Sequence, residues 1–230
     1  MKIRLPMRGL AGGRRAAATA GVTLMALATS GLAFASVPSS DVVPPSGSVA
    51  GGDYASWLKQ AWGFYYSAPG GPGACQTVNS QGATMTLAED IGGGKSSCNV
   101  PANQPVFVNE AGKECSAIPG HHNGYGTSTS ALQQCARAGI ETVLISIYVD
   151  GKRSPSDFGK YYWKPTKAFT TSVAPNRFPG YHKSSTEAAA WGWSLMFKKL
   201  PKGTHTVVCN ARSRKTKKTV FTSKVTLHVS

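Results

Sequence analysis

Acidic side chains are scarce in this sequence. Ten Asp and Glu stand against 25 Lys and Arg in 230 residues, a formal charge of +15. Long apolar runs are missing too. The longest candidate, Ala16 to Leu32, is broken by Thr19, Gly21, Thr23, Thr29, Ser30 and Gly31. It therefore falls short of the ~20 predominantly apolar residues that a stable membrane span needs. No CxxC pair is present, which argues against a structural zinc site, and no HExxH. There is no GxSxG elbow, and no Ser/His/Asp set stands out. Internal repeats and a second linker are also lacking, so one domain is the simplest partition.

What is present begins with an address. Lys2, Arg4, Arg8, Arg14 and Arg15 form a basic start with no acid, and the interrupted apolar run follows. Ala33-Phe34-Ala35 then puts small residues at the −3 and −1 positions before Ser36. That order of features reads as a cleavable signal peptide over residues 1–35. Arg14-Arg15 hints at a twin-arginine signal, but Ala16-Ala17-Ala18-Thr19 does not continue that motif, which favours the general secretory route. Residues 36–52 are rich in Pro, Ser and Gly and read as a flexible leader. A single domain is expected over residues 53–230.

Charge is unevenly spread along the exported part. Residues 36–150 hold four basic and eight acidic side chains, whereas residues 151–230 hold 16 basic and two acidic. Such asymmetry suggests an anionic partner for the C-terminal half. A lysine surface that only maintains solubility is the competing explanation.

All five cysteines, Cys75, Cys98, Cys115, Cys135 and Cys209, lie in the exported part. An oxidising destination favours disulfides, and an odd count leaves one cysteine over. The expected pairs are the sequence-adjacent ones, Cys75–Cys98 and Cys115–Cys135, with Cys209 outside both and buried in a strand.

Asp53 is placed to cap a short helix whose apolar side is Tyr54, Trp57, Leu58, Ala61 and Tyr65. Ser130 or a nearby hydroxyl would start a second, Ala131 to Ala138, with Gly139 ending it. Most of the rest reads as strand. Glu141 to Val149 alternates, with Val143, Ile145, Ile147 and Val149 on one face, and Asp150-Gly151 supplies a turn. Trp191, Trp193, Leu195 and Phe197 alternate likewise. Thr204 to Ala211 and Thr219 to Val229 pair as a terminal hairpin, and in the second strand Phe221, Val225, Leu227 and Val229 share a face. Ala83 to Ala88 and Pro105 to Asn109 are weaker strands. The fold class expected is mainly β, a single β-sandwich with short helical insertions.

Four stretches invite chemistry. Gly92-Gly93-Gly94-Lys95-Ser96 looks like the end of a phosphate loop, but Glu89 occupies the first glycine's position, so a turn is the better reading. Glu110, Glu114, His121 and His122 fall within 13 residues and could hold a divalent metal or form an acid–base pair. Their spacing matches no zinc motif, and a solvated loop tied down by Cys115 competes with that reading. Tyr161-Tyr162-Trp163-Lys164, following Lys152-Arg153, could stack on sugars or bases, or could be a strand sending alternate rings into the core. Arg212, Arg214, Lys215, Lys217 and Lys218 crowd the expected hairpin turn and are the best anion contact. A charged edge that blocks aggregation is the alternative.

Three stretches resemble a family of secreted actinobacterial-type proteins of uncharacterised function. The first runs Cys98-Asn99-Val100-Pro101-Ala102, through Val106-Phe107-Val108-Asn109, to Glu114-Cys115-Ser116. The second is Val149-Asp150-Gly151. The third is Trp191-Gly192-Trp193-Ser194-Leu195 followed by Leu200-Pro201-Lys202-Gly203-Thr204-His205-Thr206, a Leu-Pro-x-Gly-x-His strand turn. Asn103 and Gln104 depart from the Gly and Lys usual there, as does the basic terminal hairpin. The resemblance implies export and a β fold, and transfers no catalytic residue.

The reading that follows is a secreted or wall-associated, non-enzymatic binding protein with no cofactor. Its partner would be an anionic polymer or surface: wall polymer, acidic glycan or lipid headgroup, with nucleic acid less favoured. Lys198, Lys199, Lys202, Arg212, Arg214, Lys215, Lys217 and Lys218 would carry the contact. The alternative is a secreted hydrolase, with or without a metal ion, using Glu110, Glu114, His121 and His122. A protein–protein adaptor exposing aromatic side chains is a third reading.

Overall fold

A computed structural model describes residues 37–38, 41–68, 75–80, 83–89, 95–121, 124–154 and 163–230. The stretch read as signal peptide lies outside these residues.

The fold is mainly β, a sandwich with two helices. In chain order the elements are β1 (Ser48–Val49), β2 (Gly52–Asp53), α1 (Tyr54–Ser67), β3 (Cys75–Ser80), β4 (Ala83–Glu89), β5 (Lys95–Val100) and β6 (Val106–Ser116). There follow α2 (Thr129–Glu141), β7 (Val143–Val149), β8 (Lys152–Arg153), β9 (Trp163–Pro165), β10 (Phe169–Ser172), β11 (Ser185–Phe197), β12 (Gly203–Ser213) and β13 (Thr219–Val229). One sheet runs β10-β11-β6-β4-β3, with β9 also on β11; the other runs β5-β13-β12-β7-β8. Neighbours are antiparallel except β4 with β6 and β5 with β13. Both expected disulfides are present. Cys75–Cys98 joins β3 of the first sheet to β5 of the second, and Cys115–Cys135 ties β6 to α2. Cys209 is buried in β12, outside both bridges.

One extra residue organises the first sheet. Along the β6–β11 ladder Asn109 opposes Ser194 and Ala111 opposes Trp193, so Glu110 bulges out of register. A single-residue bulge swaps the faces that follow it. Phe107 and Asn109 before the bulge therefore share a face with Gly112, Glu114 and Ser116 after it. On β11 the even positions from Ala188 to Met196 stand opposite them without interruption. This face receives α1: Tyr54 lies against Phe107 with ring centroids 6.5 Å apart, and Trp62 sits over Gly112. On the opposite face Cys115 and Ala189 pack against Leu132 and Ala136 of α2. Val108, Leu195 and Phe197 on that face join the core shared with Val207, Val225 and Leu227 of the second sheet.

α1 forms where expected because Asp53 caps it, accepting from the Ser56 amide at 2.8 Å, and because Tyr54, Trp57, Leu58, Ala61, Trp62, Tyr65 and Tyr66 make a wide apolar side. α2 is longer than its sequence suggests. Ser128 rather than Ser130 caps it, and it runs through Gly139 to Glu141, so β7 starts only at Val143. Gly139 does not end the helix; it makes room for Lys113, whose Cγ would lie 2.7 Å from an added Cβ.

The stretch read as leader also differs. Val43 is buried, its amide bonds to the Met196 carbonyl, and its own carbonyl accepts from Tyr54 Oη. Residues 41–53 thus belong to the domain, held by a valine that composition alone hides among prolines and serines.

Candidate functional site

The terminal hairpin is built as its alternation implies. Val207, Cys209, Ala211, Val225, Leu227 and Val229 face inward, fully or almost fully buried. Val220 is the extra residue where the β12–β13 register shifts between Ala211 and Arg212. The tip is held by its own bonds: Ser213 N–H donates to the Lys218 carbonyl, Lys217 N–H donates to the Ser213 carbonyl, and Thr216 N–H donates to Ser213 Oγ. Arg212 Nε donates to the Lys217 carbonyl at 2.9 Å. All five tip cations, Arg212, Arg214, Lys215, Lys217 and Lys218, are exposed. Among the described residues the salt bridges join other groups: His121 with Glu114, Arg137 with Glu141, and His205 with Asp150.

Lys198, Lys199 and Lys202 are exposed as well, but in the connection that enters β12. Eleven residues of strand separate them from the tip, roughly 35 Å at the usual rise per residue. The eight candidate cations therefore form two groups at opposite ends of one strand.

The Glu110–His122 stretch resolves differently. Glu114 on β6 and His121 in the following loop meet in the interior, Nδ1 to Oε2 3.6 Å, with Ser116 Oγ 3.2 Å from the same nitrogen. Tyr66 of α1 donates its hydroxyl to Glu114 Oε1. Aromatic rings enclose the pair: Phe178 stands edge-on to His121 at 4.8 Å, and Tyr65 and Tyr66 lie against both. Arg177 closes the outside, its guanidinium 4.4 Å from the Tyr65 ring centroid. Burial first, then the Glu114 charge and hydrogen bond, push the Tyr66 phenol far above its ordinary pKa. The group thus links β6, α1 and the loop through polar contacts beneath a ring lid. The Glu110 side chain and His122 lie outside the described residues. Among the described residues no three His, Cys, Asp or Glu side chains gather as metal ligands. Sequence reasoning missed Tyr66, Phe178 and Arg177 as partners here, because they reach the pair from about fifty or more positions away.

Gly92 to Gly94, Tyr161 and Tyr162 lie outside the described residues, as do the side chains of Trp163 and Lys164. Lys152 and Arg153 form β8 and are exposed.

A cleft of about 490 Å³ opens between α2 and β11, with Gln133, Gln134, Arg137, Lys167 and Trp191 on its walls. Arg137 is engaged within it, 2.6 Å from Glu141 Oε1 and 5.7 Å from the Trp191 ring centroid. Ser130, at its rim, accepts from the Gln134 amide, a group that cannot serve as a general base. The cleft offers polar contacts and an indole edge, without a nucleophile–base pair among the described residues.

No family model and no curated protein matches this sequence. Among solved structures, the cysteine protease inhibitor EhICP2 from Entamoeba histolytica aligns with a TM-score of 0.24 and 9% identity, over 64% of this chain and 95% of that one. Amebosin aligns at 0.23 and 11%, over 64% and 97%. PbICP-C, solved in complex with falcipain-2, aligns at 0.23 and 7%, over 64% and 98%. At such TM-scores these likenesses carry no argument.

Proposed function

We propose that this protein is a secreted, non-enzymatic binder of an anionic cell-envelope or extracellular polymer, engaged through its basic C-terminal half. The observation that supports this reading most is the β12–β13 tip. Five exposed cations sit on a turn held by its own hydrogen bonds, so the backbone needs little further ordering when an anion docks. The signal-like N-terminus, the two disulfides and the resemblance to exported proteins accord with an extracellular setting. No helix among the described residues is long and apolar enough to cross a membrane.

The test is retention of the mature chain on purified cell-wall material while salt is stepped upward. Contacts between exposed charges are screened as the Debye length falls from about 10 Å at 0.1 M to about 3 Å at 1 M. Salt-reversible retention is expected, with earlier elution once the five tip cations become Gln. No retention at low salt, or retention indifferent to salt, would overturn the reading.

A further inference from the structure

The five strands of the second sheet, β5, β13, β12, β7 and β8, contain no Asp or Glu. The first sheet, by contrast, carries Glu89, Glu110, Glu114 and Glu187. Cα partners stand on the same face of a sheet, and alternate residues of a strand share a face. The registers therefore align Lys95, Lys224, Val208, Tyr148 and Arg153 in one row across all five strands. This row lies on the side opposite the buried Val207, Cys209, Val225 and Leu227, and none of its members is buried. Thr206 and Thr226 flank it on one side. On the other side are Asn210 and Thr222, already aligned by a 3.0 Å bond between them.

We infer that this outer face is a binding platform for an extended acidic polysaccharide, laid across the strands along the Lys95–Arg153 row. The inference rests on the anionic-polymer reading and names the polymer class and the surface. Strand spacing makes the row about 19 Å long, with two cations at one end, one at the other and the Tyr148 ring between. Cations at both ends suit a chain with repeated carboxylates, and flanking hydroxyl and amide groups suit its many hydroxyls. One aromatic ring is too few for a run of stacked bases, which argues against nucleic acid. The row has no aliphatic side chain larger than Val208, and the exposed Leu144 of this face lies four residues along β7 from the row, which argues against lipid along the row.

The experiment titrates a galacturonate hexamer into the mature chain by calorimetry, with a neutral glucose hexamer as control. Three variants are compared: the row variant K95Q/R153Q/K224Q, Tyr148→Ala, and the tip variant with its five cations changed to Gln. All these positions are exposed or half-exposed, and an unchanged melting transition checks each fold. The acidic hexamer should bind and the neutral one should not. The row variant should weaken binding by about tenfold, with Tyr148→Ala also weakening it and the tip variant weakening it less than the row variant does. Hexamer binding that survives the row variant and is lost in the tip variant would overturn the inference, as would equal binding of both hexamers. So would association only with anionic phospholipid vesicles. If wall material retains the protein but the hexamer does not bind, this inference falls and the anionic-polymer reading stands. If neither binds, both fall.

Discussion

His205 Nδ1 lies 2.8 Å from Asp150 Oδ2, and its Nε2 lies 2.8 Å from the Pro201 carbonyl oxygen. The ring thus bridges a carboxylate and a backbone carbonyl, both of them acceptors, and joins the β7–β8 turn to the connection before β12. The second carboxylate oxygen accepts from the Thr206 amide at 2.7 Å. Asp150 also holds a left-handed backbone with φ 49°, beside Gly151 at 75°. Two of the stretches behind the family resemblance, Val149-Asp150-Gly151 and Leu200 to Thr206, thus meet through one buried ion pair. Replacing either partner by Ala is expected to destabilise the fold by about 3 kcal/mol, since the other charge is left buried and unpaired. Asp150→Asn should cost less, because Asn tolerates φ > 0 and keeps an acceptor for Thr206. Urea unfolding of the three variants checks this; losses below about 1 kcal/mol throughout would show the pair to be incidental.

Alkaline pH should find a weak point at Tyr66. Burial, the Glu114 charge and the hydrogen bond to it hold this phenol above its ordinary pKa of 10.0, and burial raises Tyr65 too, partly offset by Arg177. The folded state therefore keeps protons that the unfolded chain releases near pH 10. The stabilisation is complete below that pH and is lost as pH rises through the folded value. Unfolding free energy measured from pH 8 to 12 should be flat and then fall above about pH 10. Tyr66→Phe should reduce the slope of that fall, leaving the part due to Tyr65. At neutral pH it should cost about 1–3 kcal/mol, because Glu114 loses a donor. An alkaline limb identical in wild type and variant would refute this assignment.

The bridge between β6 and α2 makes Gly124 irreplaceable. A Cβ there would lie 2.4 Å from Cys135 Sγ and 2.6 Å from Cys115 Sγ, on a backbone with φ 143°. Closing a loop of this length contributes about 3 kcal/mol in the chain-entropy model. Gly124→Ala should therefore destabilise on a scale comparable with the double Cys115→Ala, Cys135→Ala variant. Adding it to that double variant should cost much less than adding it to wild type. Thermal melting of the four proteins gives the answer, and full additivity would exclude the bridge as the cause.

Short-range chemistry explains why some of this was legible in the sequence. Asp53 and the spacing of Tyr54, Trp57 and Leu58 mark α1 locally, and the alternation from Thr219 to Val229 marks β13. The two disulfides match the sequence-adjacent pairing that was expected, although the sequence alone does not fix connectivity. Pairings that depend on distant register were not legible. The parallel ladders of β5 with β13 and of β4 with β6 join segments that no local turn connects. The row from Lys95 to Arg153 exists only once those ladders are set. Val43 and Tyr66 were missed for the same reason, since Val43 bonds to Met196 and Tyr66 to Glu114, each far along the chain. The tip cations were conspicuous as a run, whereas Lys95, Arg153 and Lys224 stand singly or in a pair.

The bulge at Glu110 supplies a last prediction, one that separates backbone count from side-chain chemistry. With Glu110 present, Phe107 and Glu114 lie on one face of β6 although they are seven positions apart, and both meet α1. Deleting Glu110 would leave them six positions apart, which unbroken alternation also places on one face, with the Asn109–Ser194 and Ala111–Trp193 rungs made adjacent. That deletion should therefore keep the contacts with Tyr54 and Tyr66 and preserve cooperative folding. Deleting Ala111 instead removes the same single residue from the strand, but it moves the Glu110 carboxylate into the buried position opposite Trp193. An unpaired buried carboxylate is costly, so this second deletion should abolish cooperative folding. Circular dichroism and melting of the two deletion variants test this directly, and a Glu110 deletion that loses its cooperative transition would show that the bulge itself is needed to set the faces of β6.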